Sequence, residues 1–544
     1  MIKRYFGKRK NFGFSAIFIF VALSYLLITL STIGWGIPNN DHPYNYYMDE
    51  WHQMQSIAAL FKHGSPNIEG AAHGPIFNFL LSGIYLTPFF LLKIIDPFII
   101  KSSVDNLLMQ ERLFILLRLN TLAFGLASLF FLQKIAKSYL RVNPLLVIFL
   151  FVFNPLWLYQ NNYFKYDIAL VFWILVSLFF ILKFAFKYSL KNYILAGIFS
   201  SLGVATKISA VPLIAIYIFS FFYFSSHNQR RYKDFLLGIV VFILIFIFFG
   251  IPDLILGKGN YGEFFYSNLV TSPKVYQNFV LGEQWWTYLG LKVIPLDFGY
   301  IFTVLFAISI FSWIKLFIKK GISRFRNEFF LLFCFLIFSL SLVFLNLGAS
   351  GNRLLVLLPF MALLSASFIA RMYRALSSSW KKISLVFALI LFSFQVYQSL
   401  LIISPKWGSD IRSESSVWLK RNIPEETTIG IENIPIYQQL PDIVVKEFYS
   451  IREYPNLKYN FKYQIVNYES NTLPNFIIVT NREFESNYLK KSAKKSLLIR
   501  LNQENYKIVE EFKPPKALYA IMGSELEFYT SGIVSVPTIT IFKK

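Results

Sequence analysis

Long runs of apolar residues alternate with short polar stretches along the first three quarters of the chain. Many of these runs reach about 18 residues, enough for an α-helix to cross the hydrocarbon core of a bilayer. They lack the residue-by-residue alternation of a membrane β-barrel strand. The pattern therefore predicts a polytopic α-helical membrane protein. The eleven predicted spans are 12–35, 112–133, 144–160, 167–187, 193–206, 208–224, 235–251, 299–317, 329–346, 353–370 and 383–403.

The segment 75–95 is also apolar enough to cross, but Pro75 and Pro88 interrupt it. If it does not cross, the predicted cytoplasmic pieces hold 23 Lys and Arg and two acids. A single crossing would turn 18 of those basic residues outward, against the enrichment of basic residues in cytoplasmic loops. We therefore interpret 75–100 as a re-entrant or surface-lying helical pair on the outer side. If the segment crossed the membrane twice, the later loops would stay on the same sides, so a double crossing is an open alternative.

This orientation sorts the polar segments into two sides. A basic stretch precedes the first apolar run, which is too long for a cleaved signal peptide, so we expect a signal anchor with a cytoplasmic N-terminus. The outer loops are 36–111 and the aromatic-rich 251–298. Frequent Lys, Asn, Ile and Phe favour an AT-rich, bacterial genome, and hence the bacterial cytoplasmic membrane. The predicted cytoplasmic pieces are 1–11, 134–143, 183–192, 225–234, 315–328 and 371–382.

The character of the chain changes after Pro405. Residues 404–544 hold 16 acids and 19 bases in short patterned segments, which predict a small extracytoplasmic α/β domain following a membrane module, 1–403. Within it we find no Gly-rich phosphate loop, paired metal-ligand spacing or nucleophile elbow. The pattern predicts a helix at Ser415–Lys420 and strands at Thr428–Ile431, Asn475–Thr480 and Lys507–Phe512.

Composition narrows the function classes. The net charge of +23 accompanies a hydrophobic fraction of 55%, so we attribute the excess charge to cytoplasmic loops rather than to nucleic-acid binding. The single cysteine, Cys334, lies in an apolar run and is interpreted as a small core or lipid-facing residue.

Two adjacent acids, Asp49 and Glu50, follow the first span, although the first 403 residues hold only 14 Asp and Glu. Neighbouring side chains on a helix diverge by about 100°, so the two carboxylates cannot reach the same atom. One can act as a base while the other orients it, binds a cation or pairs with a basic group. The alternative is a pair of acids stabilised at a helix N-terminus.

Three more charged residues lie where predicted spans meet the outer surface. Asp167 ends the run Tyr163–Asp167, Lys207 separates two short spans, and Arg353 opens another. Basic groups at this depth suit a lipid phosphate, and snorkelling to the headgroups is the alternative. Asp167 is either a functional acid or an interface residue paired with Lys165.

Four of the five histidines, His42, His52, His63 and His73, lie in the first outer loop. Their spacing matches no metal motif, and the outer loops hold no Asp-x-Asp sequence. We therefore predict no certain cofactor, and a divalent cation stays an open alternative. His73-Gly74-Pro75 is typical of a turn.

Taken in order, these features resemble the GT-C membrane glycosyltransferases, near the protein O-mannosyltransferases and aminoarabinose transferases. The resemblance covers nearly the whole chain and rests on the order and sidedness of short motifs. They are Asp49-Glu50, His73-Gly74-Pro75, Arg112 and Arg118, Tyr163–Asp167, Gly203–Lys207, Asn352-Arg353 with Pro359, and Ser416–Pro424.

The resemblance implies a function. Such enzymes transfer a sugar from a polyprenyl-phosphate donor, on the outer face and with inversion, to a lipid, glycan or protein acceptor. It implies that Asp49 is the general base and Glu50 its support. Lys207 and Arg353 would neutralise the leaving phosphate. The remaining residues expected to bind substrate are Asp167, Tyr163 and His73.

Two other classes stay open. A transporter or flippase of lipid-linked saccharides would carry ionisable groups near the bilayer midplane and repeated halves, and the sequence shows neither. A catalytically inactive, polysaccharide-binding relative is the third alternative, and the presence of Asp49 argues against it.

Overall fold

Helices dominate the part of the chain described by the computed structural model. That part comprises residues 12–39, 42, 45–47, 50, 53–54, 57, 76–95, 107–225, 232–256, 291, 293–344, 351–432, 439–453, 455–480, 496–518 and 537–544. Apart from the short helices Asp253–Leu256 and Ile294–Phe298, the described α-helices preceding the C-terminal region are α1 Phe12–Ser31, α2 Ile76–Leu91, α3 Leu107–Ile135, α4 Pro144–Val152, α5 Pro155–Gln160, α6 Tyr166–Phe186, α7 Leu190–Thr206, α8 Pro212–Phe224, α9 Tyr232–Gly250, α10 Tyr300–Lys320, α11 Arg326–Phe344, α12 Leu358–Ala375 and α13 Ser378–Ile403.

Seven of the described helical segments are long and apolar enough to cross a membrane, by length and composition. Shorter apolar helices include parts of α1, α2 and α8. The polytopic α-helical class is therefore confirmed, while the number of eleven spans stays a prediction. The predicted split on either side of Lys207 is present, because α7 ends at Thr206 and α8 begins at Pro212.

The predicted span 144–160 is not one helix. It consists of α4 and α5, and Asn154 lies in the break between them. The Asn154 side chain accepts a hydrogen bond from the Trp157 amide at 3.2 Å and donates to the Phe298 carbonyl at 2.9 Å. Pro155 has no amide hydrogen and favours the first turn of a helix. Together these residues end one helix and start the next inside the bundle.

In the segment 75–100 the described residues 76–95 contain a single helix, α2. Residues 96–100 lie outside the described part of the chain, so the helical pair stays a prediction. Pro88 lies inside this helix, one turn before its end, where a missing amide hydrogen removes only one bond of the ladder. The Asn120 amide of α3 donates to the Ser82 hydroxyl of α2 at 3.0 Å. The ring of Phe77 packs against Trp173 of α6 and Phe249 of α9. These contacts place α2 against the bundle.

The C-terminal region is a five-stranded mixed sheet with helices. Its helices are α14 Ile411–Asn422, α15 Asp442–Glu453 and α16 Leu497–Gln503, and its strands are β1 Thr428–Ile431, β2 Lys462–Ile465, β3 Phe476–Thr480, β4 Lys507–Phe512 and β5 Ile539–Lys543. The strand order is β2-β1-β3-β5-β4. The first three strands are parallel, and β5 is antiparallel to both of its neighbours.

The helical bundle and the C-terminal region each have an apolar core of their own. A large cluster in the helical bundle includes Trp157, Trp313 and Cys334, all buried. Cys334 is therefore a core residue, one of the two predicted interpretations. The sheet is covered on one side by residues of α14 and α15, such as Leu419 and Val444.

Candidate active site

Glu50 is fully buried in an ion pair with Arg118 of α3. The guanidinium donates to both carboxylate oxygens, at 2.9 and 2.7 Å, and both side chains are at most 1% exposed. The Phe164 amide donates a third hydrogen bond to the same carboxylate, at 2.6 Å. Glu50 is thus held by three donors, a geometry that fits an anchor for its sequence neighbour.

Arg118 also fixes the end of the first helix. Its remaining terminal nitrogen donates to the carbonyls of Ile33 and Trp35, at 2.6 and 2.7 Å. One guanidinium therefore joins α3, the chain after α1 and the loop that carries Glu50. Asp49 itself and His73 lie outside the described residues, as does most of the aromatic loop 251–298.

Asp167 is buried at the first turn of α6 and faces two lysines. The Lys207 ammonium lies 2.5 Å from one carboxylate oxygen, and the Lys165 ammonium lies 3.7 Å from the other. The predicted pairing with Lys165 is present, but Lys207 is the closer partner. Lys207 reaches Asp167 because the chain is extended between α7 and the next helical turn.

Tyr47 connects this ion cluster to a second polar group. Its hydroxyl accepts hydrogen bonds from the Lys165 ammonium at 2.6 Å and from the Asn352 amide at 2.7 Å. The Gln160 amide in turn donates to Asn352 at 2.5 Å. In the sequence, Tyr47 precedes the predicted base Asp49 by two residues.

Arg353 follows Asn352 directly in the chain, and its positive charge opposes that of Lys207. We call the set Tyr47, Gln160, Lys165, Asp167, Lys207, Asn352 and Arg353 the polar centre. Within this set three basic side chains accompany one acid. Its charged members lie at the ends of helices, at the start of α6, between α7 and α8, and in the 3₁₀ turn before α12.

Tyr163 lies behind the polar centre as part of its wall. Its ring stacks on that of Tyr47 with centroids 4.4 Å apart, and its hydroxyl donates to the Tyr159 hydroxyl at 3.0 Å. Tyr163 is fully buried. In this conformation it supports Tyr47 and does not line an open surface.

Lys406, just after α13, is a buried cation that the sequence analysis did not select. Its ammonium donates to the Tyr159 carbonyl at 3.0 Å and to Asn162 at 3.3 Å. It also lies 3.7 and 4.3 Å from the ring centroids of Tyr159 and Tyr163. Cation–π contacts of this kind strengthen when the charge is desolvated. Lys406 therefore fixes the start of the C-terminal region against the wall of the polar centre.

The C-terminal region also holds the loop through Tyr46. The Arg412 guanidinium lies 3.3 Å from the Tyr46 ring centroid, and the Tyr46 hydroxyl donates to Asp442 at 3.0 Å. Burial raises the pKa of the Tyr46 phenol well above its ordinary value, so the hydroxyl stays protonated. Tyr46 therefore contacts the C-terminal helices, while its neighbour Tyr47 belongs to the polar centre.

Some residues of the polar centre were not predicted from the sequence, and only one pattern in the sequence points to any of them. Gln160-Asn161-Asn162 places three amides in a row at the end of an apolar run, where polar groups are costly unless they are hydrogen-bonded. Tyr47 gave no such signal, because tyrosine is common at membrane boundaries. Among the described residues, no group of His, Cys, Asp and Glu side chains is placed to hold a metal ion.

Comparisons with known proteins were made at three levels. No family model matches the sequence, and no curated protein matches it. Solved structures do match. The archaeal oligosaccharyltransferase AglB from Archaeoglobus fulgidus, in complex with an inhibitory peptide and a dolichol-phosphate, is 13% identical with a TM-score of 0.47, over 78% of this chain and 63% of that chain.

A second similar structure is ArnT from Cupriavidus metallidurans bound to undecaprenyl phosphate. It is 12% identical with a TM-score of 0.43, over 98% of each chain. This chain therefore spans ArnT almost completely and less than two thirds of AglB. Because the TM-scores are below 0.5, no residue role is carried over from these structures.

Proposed function

We propose that this chain is an integral membrane glycosyltransferase that uses a polyprenyl-phosphate-linked sugar. The sugar would pass to a lipid, glycan or protein acceptor of the cell envelope, on the outer face of the membrane. The observation that carries the proposal is the polar centre, in which Lys165 and Lys207 pair with Asp167 and Arg353 adds a third positive charge next to Asn352. A positive site at helix ends suits a substrate whose phosphate lies at the membrane surface.

The chemistry requires a base and a place for growing negative charge. In the proposed reaction Asp49 takes the proton of an acceptor hydroxyl, and that oxygen attacks the anomeric carbon from the face opposite the phosphate. The bond between the anomeric carbon and the phosphate oxygen breaks, and polyprenyl phosphate leaves with the electron pair. The configuration at the anomeric carbon is inverted.

Lys207 and Arg353 have the proposed role of neutralising the leaving phosphate, because such help is worth most where charge develops. Asp167 holds Lys207 at 2.5 Å and so keeps its ammonium in place. The proposed role of Glu50 is to position Asp49. Its three hydrogen bonds hold the loop, and we assign it to positioning Asp49 rather than to proton transfer.

The proposal is tested by measuring transfer in membranes supplied with a panel of undecaprenyl-phosphate-linked hexoses and pentoses. We expect Asp49→Asn to lower the rate by about 10²- to 10⁴-fold, the usual contribution of a general base. Asp253→Asn, an acid beyond the end of α9 and outside the polar centre, serves as the matched control and should keep the wild-type rate. Equal transfer by wild type and Asp49→Asn would remove Asp49 from the proposed role.

A transporter or flippase of lipid-linked saccharides is the second candidate. The charged residues of the polar centre lie at helix ends, whereas transporters place ionisable groups near the middle of the bilayer. The same membranes distinguish the two. An enzyme releases polyprenyl phosphate as sugar is transferred, while a flippase moves the lipid-linked sugar intact to the other leaflet.

A further inference from the structure

A cavity lies at the other end of the bundle from the polar centre. It has a volume of about 560 Å³, and its lining includes Phe186, Lys187, Tyr188, Tyr223, Ser225 and Arg326. We call it the basal cavity. Helix α6 runs from Asp167 at its first turn to Phe186 at its end, a distance of about 30 Å at 1.5 Å per residue. The two sites are therefore separated by roughly the thickness of a bilayer core.

Three of the predicted cytoplasmic pieces meet at this cavity. Lys187 comes from 183–192, Ser225 from 225–234 and Arg326 from 315–328. Of the two basic residues, Lys187 follows the end of α6 and Arg326 is the first residue of α11, and no acid is among the lining residues. This is a positively charged pocket made by residues distant in sequence.

Arg326 is held in place by aromatic rings. Its guanidinium lies 4.7 Å from the Phe224 ring centroid and 5.6 Å from that of Tyr223, and one terminal nitrogen donates to the Tyr223 carbonyl at 2.9 Å. A guanidinium has five N–H donors, so this bond leaves several to offer. A guanidinium held between rings is suited to phosphate recognition.

The two acids of these pieces do not line the cavity, although Asp234 contacts one of its lining residues. Asp234 accepts a hydrogen bond from the Tyr188 hydroxyl at 2.7 Å. Glu328 accepts one from Ser367 at 3.2 Å and interacts with Arg371 and Arg374. Neither acid lines the cavity, so its positive charge is not cancelled from within.

An apolar surface begins beside the cavity. Phe186 is exposed, and Leu236, Val240 and Ile243 form an exposed stripe at helical spacing along α9. The Tyr188–Asp234 hydrogen bond joins the cavity to the first turn of α9. A ligand with a phosphate in the cavity and hydrocarbon chains along this stripe would satisfy both surfaces.

We propose that the basal cavity binds the phosphodiester headgroup of an anionic glycerophospholipid. Lys187 and Arg326 would contact the phosphate, and α9 would contact the acyl chains. The site lies at the opposite end of α6 from the polar centre and is independent of the proposed transfer reaction.

The test uses the full-length chain, purified in detergent and stripped of lipid, with binding followed by native mass spectrometry. The probes are phosphatidylglycerol and phosphatidylcholine with the same acyl chains. We expect the wild type to prefer phosphatidylglycerol and Lys187→Gln to lower its affinity about fivefold, the usual effect of one basic residue near an anionic headgroup. Because Lys187 is exposed, this substitution should leave folding intact. Arg326→Gln should remove the preference, and Arg326→Lys should restore part of it.

Arg374→Gln is the matched control, because Arg374 lies at the same end of the bundle and outside the cavity. It should bind phosphatidylglycerol as the wild type does. Equal binding of the two lipids by the wild type, or an unchanged preference in Lys187→Gln, would overturn the proposal. Displacement of phosphatidylglycerol by millimolar inorganic phosphate would also overturn it, because the cavity would then serve a soluble phosphate.

Discussion

At the scale of single residues, the buried Glu50–Arg118 pair joins the segment that follows the first helix to α3. Both charges are removed from water, so each relies on the other and on the surrounding backbone. The pair also explains why two adjacent acids follow the first span. One is an anchor, and the other is left to serve as the proposed base.

Removing Arg118 should therefore destabilise the protein strongly. We expect Arg118→Met to lower the free energy of unfolding in detergent by about 3–5 kcal/mol, because it leaves Glu50 charged and buried. Lys462→Gln is a suitable control, since the Lys462–Glu426 pair is about two-thirds exposed and such pairs contribute about 0–1 kcal/mol. Adding Glu50→Gln to Arg118→Met should recover part of the loss. Similar unfolding energies for the Arg118 and Lys462 variants would contradict this account.

At the scale of elements, the apolar pattern predicted most of the long helices because their length alone identifies them. It failed at Asn154-Pro155, where a break inside the bundle is stabilised by the distant carbonyl of Phe298. Apolar composition alone cannot reveal such a contact. Strands β1 and β4 were predicted at their observed bounds. Strands β2 and β5 were not predicted, although Lys462–Ile465 alternates polar and apolar residues.

The polar centre was predicted only in part for a related reason. Asp167, Lys207 and Arg353 could be found because charge is rare in the apolar part of the chain. Tyr47, Gln160 and Asn352 could not, because their importance comes from one another. The hydrogen bonds among them join segments more than 100 residues apart in sequence.

Tyr46 attaches the segment between α1 and α2 to the C-terminal helices, and Tyr46→Phe tests this attachment. The substitution removes the hydroxyl that donates to Asp442 while keeping the ring against Arg412. Leaving a buried acceptor without its donor costs about 1–3 kcal/mol. We expect faster proteolysis of the loop and a lower transfer rate. Tyr397→Phe, at an exposed tyrosine of α13, is the control, and equal behaviour of the two variants would argue against the attachment.

At the scale of the whole molecule, the two ends of the bundle differ in chemistry. One end carries the polar centre and contacts the C-terminal sheet region through Tyr46 and Lys406. The other carries the basal cavity and most of the predicted cytoplasmic positive charge. This difference between the two ends matches the enrichment of basic residues on the cytoplasmic side. The predicted orientation in the membrane can therefore be tested directly.

Single-cysteine labelling with a membrane-impermeant maleimide checks that orientation. Lys420→Cys on α14 and Lys187→Cys beside the basal cavity are both at exposed positions, while the native Cys334 is buried. Applied from outside intact cells, the reagent should label position 420 and not position 187. Cells opened with detergent provide the control, in which both positions should react. Labelling of 187 alone from outside would invert the topology.

The central claim is that the polar centre holds the phosphate of a lipid-linked sugar donor, and Lys207 tests it most directly. The measurement is the affinity of the full-length protein for undecaprenyl phosphate, together with the transfer rate. We expect Lys207→Gln to weaken binding about tenfold, equivalent to about 1.4 kcal/mol, and to slow transfer. Lys207→Arg should restore much of both, and Lys382→Gln, an exposed lysine near the start of α13, should change neither. Wild-type affinity and transfer in a folded Lys207→Gln variant would contradict the claim.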